Sequence, residues 1–254
     1  MPVVLVEKQS PQVTVITLNR PERRNALTIE LMTELSAAVE LAASDEKQRV
    51  LILRGAGQAF CAGLDLRETT ETQKAHASAE MVAKTLLTLS QTRLITIAAV
   101  HGAAVAGGAG IMSACDFVLA ASHTKFGYPE ARRGLVAGLV MTFLRRQLHE
   151  RHIRELLFTS ELIGAERAQE IGLINRVVPP NELENETQKI VASILQGAPG
   201  ALTNTKRLLD EFWSTSVQQD IGRALSHHML ARESAEAKEG ITAFLEKRAP
   251  NWSP

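Results

Sequence analysis

Residues 101–130 read HGAAVAGGAG IMSACDFVLA ASHTKFGYPE, and the reading of this stretch decides the fold. It follows Ile95–Val100, ITIAAV, an apolar run expected to form a fully buried strand. Gly102, Gly107, Gly108 and Gly110 come next, with Ala103, Ala104, Ala106 and Ala109 filling most of the gaps. Nothing bulky covers the main chain there, so a ligand can approach backbone N–H groups closely. If a helix starts near Gly107, those groups are also the unpaired donors of its first turn. They would favour negative charge developing on a bound oxygen. Glu130 stands behind Pro129 in an otherwise apolar, small-residue setting. An anion hole with a nearby carboxylate is equipment for chemistry next to a carbonyl. Plainer readings stand beside these: a Gly/Ala run also permits close helix–sheet packing, and a Glu after Pro also serves as a solvated turn residue. The glycines do not match a dinucleotide fingerprint, and the chain has no phosphate loop.

Outward from this stretch, apolar runs alternate with helical patterns. Val3–Val6 and Val13–Leu18 suit a hairpin around Ser10-Pro11. Thr28 is placed to cap a helix through about Ala43, with Leu31, Leu35, Val39 and Ala42 on one face. Val50–Leu53 and Phe117–Ala121 read as strands, and helical segments are expected around Ala75–Gln91 and Gly108–Ala114. Such alternation indicates an α/β fold with crossover units and a largely parallel sheet. Beyond Glu130 helices dominate: Leu139–His149, Ile153–Thr159, Ala165–Ile171, and one that Asn181 would cap through about Leu195. Val177–Pro180 reads as a break, and Gln196–Gly200 as a hinge. The boundary therefore falls between a core, 1–196, and a helical region, 197–254. The latter is too short for a core of its own and is expected to pack on its own or a neighbouring subunit.

Composition narrows the function classes. The 28 basic and 28 acidic residues cancel, which argues against wholesale attraction to nucleic acid or an anionic membrane. Two cysteines, Cys61 and Cys115, make no disulfide framework, and the start MPVVLVEKQS carries no signal pattern. A reducing, cytoplasmic setting is the expectation. Cys61 has no visible histidine partner and reads as a small apolar filler.

Six segments resemble the crotonase superfamily, the enoyl-CoA hydratase/isomerase family. They are Arg20–Leu27 (RPERRNAL), Phe60–Leu66 (FCAGLDL), His101–Asp116, Phe126–Gly134 (FGYPEARRG), Ser160–Val177 and Phe244–Pro250 (FLEKRAP). The resemblance implies a spiral of ββα units with a C-terminal helical region that builds trimers, often paired into hexamers. It implies an acyl-CoA thioester as ligand, with no cofactor beyond the CoA of the substrate. By motif position, the backbone N–H groups of Leu64 and Gly107 would hold the thioester oxygen. Glu130 matches one of the two glutamates that hydratase members use, while Gly110 stands where the other would be. The segment Leu135–Met141 (LVAGLVM) carries bulkier residues where the family usually has several glycines, which reshapes the acyl pocket around Gly138. Arg24 and Arg67 are candidate phosphate contacts, Lys247 would reach a CoA phosphate across a subunit boundary, and Ala26 and Ala62 would lie along the CoA. Asp65 reads as a helix cap. Asp116 and His101 read as structural. Arg132 is either a clamp for a distal carboxylate or a solvated arginine.

Without its first glutamate the site fits several reactions. Hydration of an enoyl-CoA, including branched or carboxylated ones, leads, because similar single-glutamate sequences are treated as hydratases. Double-bond isomerisation suits one shuttling carboxylate. A thioesterase or decarboxylase, or a catalytically silent acyl-CoA-binding protein, stands further off.

Overall fold

A computed structural model describes residues 2–68 and 72–252. Its main sheet has six strands in the order β1-β2-β3-β4-β6-β9: β1 Val4–Ser10, β2 Val13–Leu18, β3 Val50–Gly55, β4 Ile95–Val100, β6 Phe117–Ala121 and β9 Arg176–Val178. β1 and β2 form the expected antiparallel hairpin, and all later neighbours are parallel. Parallel pairing requires crossovers. Helix α1, Ile29–Ser44, makes the first, with the Thr28 side chain accepting from the Leu31 N–H at 3.2 Å. Helix α2, Thr72–Gln91, makes the second.

A second sheet of three short strands accounts for the spiral: β5 Ala103–Val105, β7 Lys125–Gly127 and β8 Ile163–Gly164. The chain passes from β4 to β5, through helix α3 Gly107–Ser113, then to β6 and β7, so each turn gives one strand to each sheet. The preceding turn reaches the same edge through single bridges, Cys61 to Ala104 and Leu27 to Leu64. None of these short strands was expected from the sequence, and β9 occupies the run read as a break. Strands of two or three residues have no periodicity of their own; neighbouring main chain defines them.

Both faces of the central strands β2, β3, β4 and β6 are buried, which is why those strands are nearly all apolar, while β1 is an exposed edge. Ile16, Leu18, Leu51, Leu53, Ala98 and Val100 face a core shared with α1, α2, α3 and α4 (Gly138–Gln147). Val13, Val15, Val50, Ile52, Ile97 and Leu119 face the other way, where Val191 and Ile194 cover them. Helices α5 Glu150–Thr159 and α6 Ala165–Glu170 precede β9. The covering helix α7 spans Leu183–Gln196. Asn181 does not cap it: Pro180–Glu182 form a 3-10 turn ahead of the helix, so the backbone, not an amide side chain, makes the entry.

Helices α8 Pro199–Glu211, α9 Val217–Arg232 and α10 Ala235–Glu246 complete the chain. The segment read as a hinge is partly helix, because Pro199 takes the first helical position, where its missing N–H costs nothing. Lys206 fixes α8 to the sheet by donating to Asp116 Oδ2 at 2.8 Å and to the Leu94 carbonyl at 2.9 Å. Asp116 also accepts from the Thr96 N–H and hydroxyl, at 2.7 and 2.9 Å, so its role is structural. Helix α9 packs on α2 and α4, and α10 on the turn at Ala131–Arg133.

Candidate active site

Two loops meet at the start of α3. The first, Cys61–Asp65, lies between the Arg24–Leu27 segment and β5: Ala62 N–H donates to the Arg24 carbonyl at 3.0 Å, and Cys61 N–H to the Ala103 carbonyl at 3.0 Å. Leu27 N–H donates to the Gly63 carbonyl at 2.8 Å and Asp65 N–H to the Leu27 carbonyl at 2.9 Å. Those two bonds use the groups on either side of Leu64 and turn its own N–H the other way, as alternation along an extended segment demands. The second loop turns at Ala106, whose φ of 51° and ψ of −124° are rare for a residue with a Cβ. This sets the direction of the 106–107 peptide and so of the Gly107 N–H. Neither the Leu64 nor the Gly107 N–H has an acceptor among the described residues.

Glycines make this approach feasible. A Cβ on Gly63 would lie 3.6 Å from Gly107 N and 2.9 Å from the Val105 carbonyl oxygen. A Cβ on Gly107 would lie 3.9 Å from Leu64 N. One on Gly108 would strike the Cys61 carbonyl oxygen and stand 2.8 Å from its Sγ. Gly108 therefore serves close packing, and the Gly107 N–H is left without an acceptor among the described residues.

Leu64 and Gly107 line one cavity of about 80 Å³ with Ala62, Ala106 and Glu130. Leu66, Val82, Leu135, Val136, Leu139 and Val140 give it apolar walls. Glu130 is 9% exposed, and its Oε2 has no hydrogen-bond partner among the described residues. Burial in this apolar setting raises its pKa to about 7, against smaller opposing effects of a backbone hydrogen bond and the Arg133 charge. At neutral pH the carboxyl is present in both forms.

The structure separates other expected site residues from this cavity. Gly110 is buried, but a side chain there would point at Val140 Cγ1, 2.6 Å from its Cβ, and at Leu86. It does not line the cavity. Val140 fills the space beside Gly110, so any side chain introduced at position 110 requires Val140 to shift. Gly138 lies in a separate depression with Arg145, Trp213 and His227, where an added Cβ would stand 3.1 Å from the Ala224 carbonyl oxygen. Arg24, Arg67 and Lys247 are exposed, and Ala26 is half-buried outside the cavity lining. Lys247 is the C-cap of α10, three residues past Phe244, which lines the cavity. Asp65 pairs with Arg20 at 3.2 Å instead of capping a helix. Arg132 is exposed and donates to the Thr159 carbonyl at 2.9 Å, away from the acyl cavity. His101 holds the Gly57 carbonyl at 2.9 Å. Cys61 and Cys115 are buried thiols, pushed by burial up to about 12, which suits fillers and not nucleophiles.

Two cavity residues escaped the sequence analysis. Arg133 lies one 3-10 turn after Glu130, with its guanidinium 4.4 Å from the centre of the Phe244 ring. Desolvation lowers its pKa, and it has no carboxylate within 4.0 Å among the described residues. His228 comes from α9 and is 6% exposed. The three-residue turn explains the first omission: it points Arg133 inward beside Glu130 and Arg132 outward.

Residues 8–254 match the family described as enoyl-CoA hydratase/isomerase, and the chain belongs to it. It is 34% identical to a crotonyl-CoA hydratase from Syntrophomonas wolfei, covering 98% of this chain and 97% of the relative. It is also 34% identical to a short-chain-enoyl-CoA hydratase from Clostridium acetobutylicum, covering 96% and 95%. The crystal structure of an enoyl-CoA hydratase from Mycobacterium avium superposes with a TM-score of 0.87 at 32% identity over 100% of both chains. The chain is thus an enzyme of the crotonase fold and class.

Proposed function

We propose that this enzyme hydrates a short enoyl-CoA thioester, with Glu130 moving the proton at the carbon next to the thioester carbonyl. The observation that supports the reading is that buried Glu130 and the two residues whose N–H groups lack an acceptor among the described residues, Leu64 and Gly107, line one small apolar cavity. The Leu64 and Gly107 N–H groups would bind the thioester oxygen and stabilise it most as the enolate forms. Protonated Glu130 would deliver its proton to C2 while water adds at C3. Adding water across the double bond transfers no electrons to or from an external acceptor, so no cofactor beyond the CoA moiety is invoked. Many relatives carry hydratase names, which supports water addition over other enolate chemistry.

Isomerisation is the second reading, and Val140 favours it. By filling the space beside Gly110 it leaves Glu130 as the only carboxyl lining the cavity among the described residues. One carboxylate that removes a proton at one carbon and returns it at another needs no water. An acyl chain ending in a carboxylate would meet Arg133 and not Arg132. We also propose a cytoplasmic trimer or hexamer: Leu209, Phe212 and Leu230 are exposed on α8, its C-cap and α9, and light scattering reads the assembly directly. Among the described residues, no helix is long and apolar enough to cross a membrane.

A panel of 2-enoyl-, 3-enoyl- and 3-methylglutaconyl-type CoA esters separates the readings. Hydration of a 2-enoyl ester supports the first. Conversion of 3-enoyl to 2-enoyl esters without hydration supports the second. Release of free thiol would contradict both.

A further inference from the structure

Hydration needs two proton movements: one off the attacking water and one onto C2. Glu130 accounts for the second, and Gly110 with Val140 removes the family's usual means for the first. We propose that His228 supplies it, with Nε2 accepting the hydrogen of the attacking water and taking its proton as the C3–O bond forms. The proposal rests on the hydratase reading above.

The ring's tautomer follows from its one partner. His228 Nδ1 stands 3.1 Å from the Val136 carbonyl oxygen, which can only accept, so Nδ1 carries the hydrogen. In the neutral ring Nε2 is then a bare lone pair. That atom is buried, has no hydrogen-bond partner among the described residues, and belongs to a side chain lining the cavity that holds Glu130. Buried polar atoms are nearly always satisfied, so two unsatisfied ones, Nε2 and Glu130 Oε2, in a single apolar cavity call for a common polar guest. Water between an acceptor and a carboxylic acid fits both.

Burial keeps the ring neutral. Burial is the largest cause of its lowered pKa, and the Arg232 charge one turn further along α9 adds to it, against the Val136 hydrogen bond. Around the cavity, the turn after β7 contributes Glu130 and Arg133. Helix α2 places His76 beside Glu233 at 3.0 Å. Helix α4 sends Arg146 to Asp210 and Asp220, at 2.7 and 3.3 Å, and α10 sends Glu239 to Arg248 at 2.7 Å.

The step balances. The water oxygen bonds to C3 while its O–H bond breaks toward Nε2. The C2=C3 pair shifts to C2 and onto the thioester oxygen, held by the two N–H groups. The Glu130 O–H bond breaks and its proton forms the new C2–H bond. His228 then releases its proton to solvent and Glu130 regains one, so one water has been added.

The test uses His228→Asn, whose amide N–H can replace Nδ1–H toward the Val136 carbonyl but presents nothing where Nε2 stood. Two rates are read on the full-length enzyme: hydration of crotonyl-CoA, and exchange of the C2 hydrogens of butyryl-CoA in D2O, which requires only Glu130 and the two N–H groups. The expected result is a fall in hydration of about 10²-fold, loss of the acid limb of its pH profile, and exchange within about twofold of the unaltered enzyme. Wild-type hydration in the Asn variant would overturn the proposal alone and make His228 a packing residue. Equal loss of both rates would also overturn it. An unaltered enzyme that exchanges C2 hydrogens yet hydrates no enoyl-CoA would overturn the hydratase reading, and this proposal with it.

Discussion

The two ends of the cavity are made of different material. The end at Leu64 and Gly107 is main chain, fixed by a ladder of backbone bonds from Leu27 and Ala103 to the 61–65 loop. The end at Glu130, Val140 and His228 is side chain, set by which residues the turn after β7, α4 and α9 present. Main chain tolerates little change, because each donor's direction depends on several glycines packed against backbone oxygens. Side chains can be exchanged in pairs, and Gly110 with Val140 is such a pair: a Cβ at position 110 would enter the space that Val140 Cγ1 fills. A family can thus retain enolate stabilisation while altering what is done with the enolate.

Breaking the main-chain end has the largest expected effect. Gly108→Ala drives a Cβ into the Cys61 carbonyl and thiol, separating the two loops and displacing the Gly107 donor. Losing one such donor costs about 10²–10³-fold in kcat. Steady-state kinetics on the best substrate should show that fall with soluble, folded protein by circular dichroism. An unchanged kcat would mean that Gly107 does not contact the reacting oxygen.

The side-chain end should respond in stability before activity. Gly110→Glu overpacks against Val140 and buries a charge, so urea denaturation should show a loss of about 3 kcal/mol. Adding Val140→Gly should recover much of that loss and raise hydration of a simple 2-enoyl-CoA. If the single Gly110→Glu variant is as stable as the unaltered enzyme, the two positions do not compete for the same space.

A smaller effect follows from the raised pKa of Glu130. The folded protein holds this proton to about pH 7, whereas the unfolded chain releases it near the ordinary 4.5. Between those values the folded state binds more protons, so stability falls as pH rises from about 4.5 to 7 and stays lower above. Glu130→Gln removes this dependence. At pH 8 it should be more stable than the unaltered enzyme by about 3 kcal/mol, and near pH 4 the two should converge. Chemical denaturation at both pH values checks the sign.

What the sequence made legible follows the same division. The strands at Val13–Leu18, Val50–Leu53 and Ile95–Val100 are apolar on both faces and could be read directly, as could the glycine run and Glu130. The 3-10 turn that aims Arg133 inward and Arg132 outward could not, because adjacent arginines look alike until their backbone is fixed. Nor could the Gly110–Val140 pair, whose members lie on different helices. His228 did leave a signal: Val217, Ile221, Ala224 and His228 share one face of α9 at three- and four-residue spacing, and a histidine on an otherwise apolar stripe invites a functional question.

The central claim is that Glu130 moves the proton at C2 of a thioester held by Leu64 and Gly107. Exchange of the C2 hydrogens of butyryl-CoA in D2O, followed by NMR in the unaltered enzyme and in Glu130→Gln, tests it without reference to which product the enzyme makes. The account predicts measurable exchange in the first, rising with pH through about 7 as the carboxyl ionises, and a fall of about 10²–10⁴-fold in the second with butyryl-CoA still bound. Equal exchange rates in the two proteins would contradict it.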